Sequence, residues 1–146
     1  MVNKDFVSRK IKLIQEDLGR LEDLEKYSFS QIVADFVKMS AVERLLEKII
    51  MRAIDINQHL IAELGKGDEK VRGYEDTFWV LADLGVYSQG FAKKIAPSAG
   101  LRNRLVHEYN DTKAEIIYKS IGEAISRYAK YCHYILKFLS KHSSKK

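Results

Sequence analysis

A single cysteine and a single proline stand in 146 residues, and each scarcity excludes something. With Cys132 alone no intrachain disulfide can form, which fits a reducing cytoplasm. Its neighbours form an apolar helix face, so the thiol is read as packing. One cysteine and the scattered His59, His107, His133 and His142 lack the spacing of a zinc site, and no Glu-x-x-His pair of a di-metal bundle ends on any of them. No metal and no cofactor are implied. Gly-x-Ser-x-Gly and Cys/His arrangements for acyl transfer are missing too. Gly65-Lys66-Gly67 follows a helix and lacks the further glycine of a phosphate-binding loop. No run approaches the ~18 apolar residues of a membrane helix, and Met1-Val2-Asn3-Lys4-Asp5 carries no apolar signal core. The expectation is a soluble cytoplasmic protein without a membrane partner.

What the chain has in quantity is helical pattern. With 46% hydrophobic and 31% charged residues it can bury a core, and residues 1–146 are read as one domain ending in a flexible basic tail over 142–146. The net charge of +5 owes much to Lys137, Lys141, Lys145 and Lys146. Such an excess permits an acidic partner such as RNA without requiring one.

Val7, Ile11, Ile14, Leu18 and Leu21 recur at helical spacing, which predicts a first helix over about 4–26. Ser28-Phe29-Ser30-Gln31 reads as a capping box for a short helix reaching about Met39, and Ser40-Ala41-Val42-Glu43 as a second box opening a long helix to Gly65. That long helix carries a core stripe of Val42, Leu46, Ile49, Ala53, Ile56, Leu60 and Leu64. Its other stripe is polar: Lys48, Arg52, Asp55 and His59. This is either a solvated ladder of ion pairs or a surface that sets Asp55 against the chemistry described below. After an exposed connection over 66–73, a short helix is expected over about 75–84, stopped by Gly85. The next helix starts after Ser88 and meets Pro97, where it kinks or restarts. The last helix, about 113–141, buries Ile117, Ile121, Ala124, Tyr128, Tyr131, Ile135 and Phe138. The tyrosines at 128, 131 and 134 are read as core or interface.

One window concentrates chemistry: Gly100-Leu101-Arg102-Asn103-Arg104-Leu105-Val106-His107-Glu108-Tyr109-Asn110-Asp111. On one helix Arg102 and His107 stand about 140° apart, so they converge only if the helix ends near Leu105 or Val106. Asn110-Asp111 reads as a turn, and Thr112-Lys113-Ala114-Glu115 as a capping box for the last helix. His107 and Tyr109 are therefore expected in an inter-helix loop.

The order Arg-x4-His-x-Tyr in this window resembles the signature of the HepT-like branch of the HEPN superfamily. The likeness extends to the order of helices, to Ala41-Val42-Glu43 through Ala53-Ile54-Asp55-Ile56, and to Tyr74-Glu75-Asp76-Thr77-Phe78. It implies an all-α HEPN-like bundle of about five helices forming a two-fold symmetric dimer. It further implies a metal-independent endoribonuclease toxin, neutralised by a minimal nucleotidyltransferase antitoxin that attaches AMP to Tyr109. Arg102 and His107 are the catalytic candidates. Asp55, Asn103 and Glu108 are supporting ones, with Asp55 placed against Arg102 or His107. The alternative is a non-catalytic helical module that binds a nucleotidyltransferase or a nucleotide.

Once RNA is granted as substrate, the chemistry follows from the residues. RNA brings its own nucleophile, the 2′-hydroxyl, and needs a proton acceptor, a proton donor and positive charge for the phosphorane. His107 suits both proton roles and Arg102 the charge. One chain offers one such histidine, so two loops meeting at a two-fold axis would supply base and acid.

Overall fold

The structure, a computed structural model, describes residues 1–65, 67–107 and 113–143. Among them the chain forms seven α-helices and one 3₁₀ turn, and no strand: α1 Lys4–Glu25, α2 Phe29–Val33, α3 Phe36–Leu64, the 3₁₀ turn Asp68–Lys70, α4 Tyr74–Asp83, α5 Gln89–Ile95, α6 Ser98–His107 and α7 Ala114–Ser143. The all-α expectation holds. The surplus over five helices comes from the five-residue α2 and from Pro97, whose missing N–H separates α5 from α6. Of the expected tail, His142 and Ser143 still belong to α7, where the His142 ring lies 4.0 Å from that of Phe138. Residues 144–146, like Lys66 and Thr112, lie outside the described residues.

Helix boundaries follow their caps. Asn3 accepts the Phe6 N–H at 3.0 Å and opens α1. The capping box at Ser28 forms as expected, with Gln31 N–H donating to Ser28 Oγ at 3.2 Å and Ser28 N–H to Gln31 Oε1 at 2.8 Å. The second expected box does not. Asp35 instead accepts from the N–H groups of Val37 and Lys38 at 3.0 and 3.1 Å, so α3 begins a turn before Ser40. A carboxylate that satisfies two orphan amides caps the longer helix, although this leaves Phe36 and Val37 84% and 74% exposed. The Lys38 ammonium, 2.9 Å away, and the Lys38 N–H hold the Asp35 carboxyl below its ordinary pKa. At the other end Gly65 takes φ +65°, the left-handed stop that a residue without Cβ adopts most cheaply.

α3 is the central element and packs against α1, α2, α4, α6 and α7. The expected stripe is buried, with Leu64 partly so, and Leu45, Ile50, Ile54, Asn57 and Ile61 are buried as well. A helix with neighbours on several sides needs a wider apolar arc than a surface helix does. Each large aliphatic side chain so buried contributes about 1.5–3 kcal/mol.

The polar stripe of α3 pairs with α1 instead of with itself. Arg52 Nη1 donates to Asp17 Oδ2 at 2.6 Å, and Lys10 Nζ donates to Asp55 Oδ2 at 3.0 Å. Asn3 N–H donates to His59 Nε2 at 2.9 Å. α7 crosses α3 with every predicted core position buried, Tyr128 and Tyr131 included. No helix of the described residues is long and apolar enough to cross a membrane.

Candidate active site

The site is built on α6. After Pro97, Ser98 Oγ donates to the Ile95 carbonyl at 2.7 Å; its single proton is then used, so the contact with Tyr128 at 2.6 Å is a donation by the tyrosine hydroxyl. Burial pushes the Tyr128 hydroxyl pKa well above its ordinary value, which keeps it a donor. Ala99, Leu101 and Leu105 bury the inner face of α6. The outer positions carry the candidate residues Arg102 and His107.

Arg102 is half-buried. Its guanidinium carbon lies 5.6 Å from the centroid of the Tyr74 ring, at the start of α4. Nη1 makes a long contact of 3.4 Å with Asn103 Oδ1, and Nε is buried without a hydrogen-bond partner. A guanidinium held by its face keeps N–H groups for an anion, and a phosphate with two oxygens in reach matches that fork.

His107 is exposed and is the last residue of α6. The helix thus runs one or two residues past the expected end near Leu105 or Val106, and His107 stands on its last turn instead of in the loop. No proline or glycine interrupts Leu101–His107, so the ladder runs on. Arg102 and His107 remain about 140° apart around α6 in a single protomer. Glu108 and Tyr109 lie outside the described residues, as do Asn110 and Asp111. Asp55 accepts from Lys10 Nζ on α1 at 3.0 Å, and among the described residues no hydrogen bond or ion pair joins it to Arg102 or His107. Arg104, not singled out from the sequence, is exposed on α6 and lines a groove of about 140 Å³ with Leu46, Ile50, Leu101 and Arg127.

Cys132 is buried in the core, and desolvation pushes its thiol up to about 12. That environment keeps the group protonated and unreactive, in keeping with a packing role. Among the described residues no three His, Cys, Asp or Glu side chains gather as a metal-holding group. Tyr74 was missed from the sequence as a site residue. Its only mark there is its place in the Tyr74–Phe78 segment.

The chain matches the family model described as Ribonuclease HepT-like over residues 14–135, which includes the entire Arg102-to-Tyr109 motif. It is 35% identical over 137 residues to a tRNA nuclease HepT of Aphanizomenon flos-aquae, spanning 92% of this chain and 90% of that one. It is 26% identical over 113 residues to an mRNA nuclease HepT of Shewanella oneidensis, spanning 77% and 83%. Among solved structures, a tri-AMPylated Shewanella oneidensis HEPN toxin in complex with an MNT antitoxin superposes with a TM-score of 0.82, covering 92% of this chain and 99% of that one. At 22% identity this last likeness is one of fold. The fold and the motif define an HEPN protein, and this chain belongs to the HepT-like ribonuclease family within that superfamily.

Proposed function

We propose that this chain is the toxin of a type II toxin–antitoxin pair, an endoribonuclease that cleaves RNA by 2′-hydroxyl attack without a metal. A minimal nucleotidyltransferase antitoxin silences it by transferring AMP to Tyr109. Residues 1–146 act as one HEPN domain, as a homodimer in the cytoplasm. The observation that carries the reading is the Arg102 guanidinium, held against Tyr74 with an unpartnered N–H, inside a motif that the family match spans. The nuclease names of the two relatives support it, and the tri-AMPylated state of the Shewanella toxin supports the silencing step.

In the proposed reaction the 2′-oxygen attacks phosphorus while one His107 accepts its proton. The P–O5′ bond breaks, and His107 of the partner subunit gives a proton to the leaving oxygen. Arg102 neutralises the charge on the non-bridging oxygens. Products are a 2′,3′-cyclic phosphate and a 5′-hydroxyl. Arg102 and His107 stand on different sides of α6, which favours a composite site made by two copies of α6 over one closed within a protomer. Glu108 and Asn103 support the pair. Asp55 enters only through the α1–α3 contact.

The test is cleavage of a tRNA and an mRNA transcript in EDTA, with product ends determined by mass spectrometry. Arg102→Ala and His107→Ala are expected to abolish cleavage while helicity and dimer mass stay unchanged. A magnesium requirement or 5′-phosphate products would overturn the mechanism. Absence of cleavage by wild type, with binding to the nucleotidyltransferase retained, would establish the non-catalytic alternative.

A further inference from the structure

The geometry points to Tyr74 as the positioning residue for Arg102, fixed in place by a buried chain of hydrogen bonds that crosses three helices. This inference rests on the reading of Arg102 as the phosphate-binding group.

Two observations meet at Tyr74. The first is the ring itself, 5.6 Å below the Arg102 guanidinium carbon. Among the described residues the polar and cation–π contacts of Arg102 are the Tyr74 ring and the long contact with Asn103, and neither is an ion pair. A carboxylate partner would occupy the N–H edge that a phosphate needs. A ring attracts the cation without using up any of its N–H donors.

The second observation is how the ring is held. α4 opens on Gly73, which offers no side-chain cap to its first turn. The restraint comes from below. Thr77 Oγ1 donates to the Tyr74 carbonyl at 2.6 Å and accepts from Asn57 Nδ2 at 3.0 Å. Asn57 Oδ1 in turn lies 2.6 Å from the Tyr131 hydroxyl, which also approaches the Ala53 carbonyl at 3.1 Å. Asn57, Thr77 and Tyr131 are each 0% exposed.

Buried polar groups are costly unless every partner is in place, and here each finds one. A leucine would suit the apolar arc of α3 better than Asn57 does. What the polar chain supplies instead is a unique register: it links α7 through α3 to the first turn of α4, where the Tyr74 ring must meet α6. Thr77 serves this because its hydroxyl donates and accepts at once. A rigid support matters because charge stabilisation in the transition state depends on donors already in position.

The experiment compares Tyr74→Phe, Tyr74→Leu and Thr77→Val with wild type on a tRNA transcript, and follows the Arg102 Nε–Hε signal by NMR. Tyr74→Phe keeps the ring, so kcat stays within about threefold of wild type and the ring-current shift of the Arg102 signal persists. Tyr74→Leu removes the face and lowers kcat about tenfold, with KM little changed and the shift lost. Thr77→Val cuts the relay at nearly constant volume and lowers kcat severalfold with helicity unchanged. Wild-type kcat in Tyr74→Leu, or an Arg102 signal in wild type without a ring-current shift, overturns the inference. Should Tyr74→Leu not fold, the wild-type and Tyr74→Phe spectra together with Thr77→Val decide. If Arg102→Ala cleaves RNA like wild type, the functional reading fails instead, and the ring-current shift still tests the packing.

Discussion

Arg52 on α3 donates through Nη1 to Asp17 on α1 at 2.6 Å, and the carboxylate that receives it is 1% exposed. Arg20 and Lys48 reach the same group at 2.9 and 3.5 Å. Three cations around one buried anion satisfy the carboxylate, while the cations keep access to water. Asp17→Asn is expected to lower stability by about 2–3 kcal/mol, since it strips the cations of their counter-charge and leaves an amide where an acceptor is needed. Urea denaturation should show a lower midpoint at unchanged slope. A loss under about 0.5 kcal/mol would mean that the cluster behaves as an ordinary surface network.

Cys132 makes folding sensitive to alkaline pH. Burial raises its thiol to about 12 from an ordinary value near 9, so the folded chain holds the proton more tightly than the unfolded one. The stability from this group is whole below about pH 9 and is lost as pH rises toward 12, by about 1.4 kcal/mol for each unit in between. Cys132→Ala should therefore flatten the decline of the urea midpoint between pH 9 and 11. A thiol reagent at pH 8 should modify wild type only after unfolding, and rapid modification of the native protein would contradict this assignment.

Tyr109 is the residue on which the silencing proposal turns. On that proposal an adenylyl group there would add a nucleotide and a negative phosphodiester two residues along the chain from His107, which would block RNA and compete for Arg102. Tyr109→Phe should keep substantial RNase activity and become insensitive to the cognate nucleotidyltransferase with ATP. Mass spectrometry should find AMP on the wild-type chain alone. AMP on the phenylalanine variant, or none on wild type, would assign the switch elsewhere.

Local signals in the sequence translated well into the fold. Ser28 with Gln31, Gly65, Ser88 and Pro97 each mark a boundary that depends only on nearby backbone, and each marks it in the structure. Ser40 failed because two caps competed within five residues, and pattern alone does not rank them. Every position of the stripe expected on α7 is buried because periodicity records burial, although Leu139 is buried there too and was not expected. Periodicity does not record which neighbour provides that burial. For this reason the stripe Lys48, Arg52, Asp55 and His59 was visible while its answer from α1, through Asp17, Lys10 and Asn3, was not. The motif that carries Arg102 and His107 could be named from residue order, but Tyr74, 28 positions earlier, meets Arg102 only through the packing of α4 on α6. Asn57 and Thr77 did leave a trace, as polar residues on otherwise buried arcs.

Pro97 lends the arm bearing Arg102 an independence of its own. Since the proline offers no amide hydrogen, α5 cannot pass its ladder forward, and Ala99 N–H reaches back to the Ala96 carbonyl at 3.1 Å as one of the few links across the break. The opening of α6 is thereby less tightly coupled to that of α5, whose Phe91, Ala92 and Ile95 are buried on their own side of the break. In amide exchange the two would register as separate clocks, the later one running fastest at His107 and slowing toward the Ser98–Tyr128 anchor.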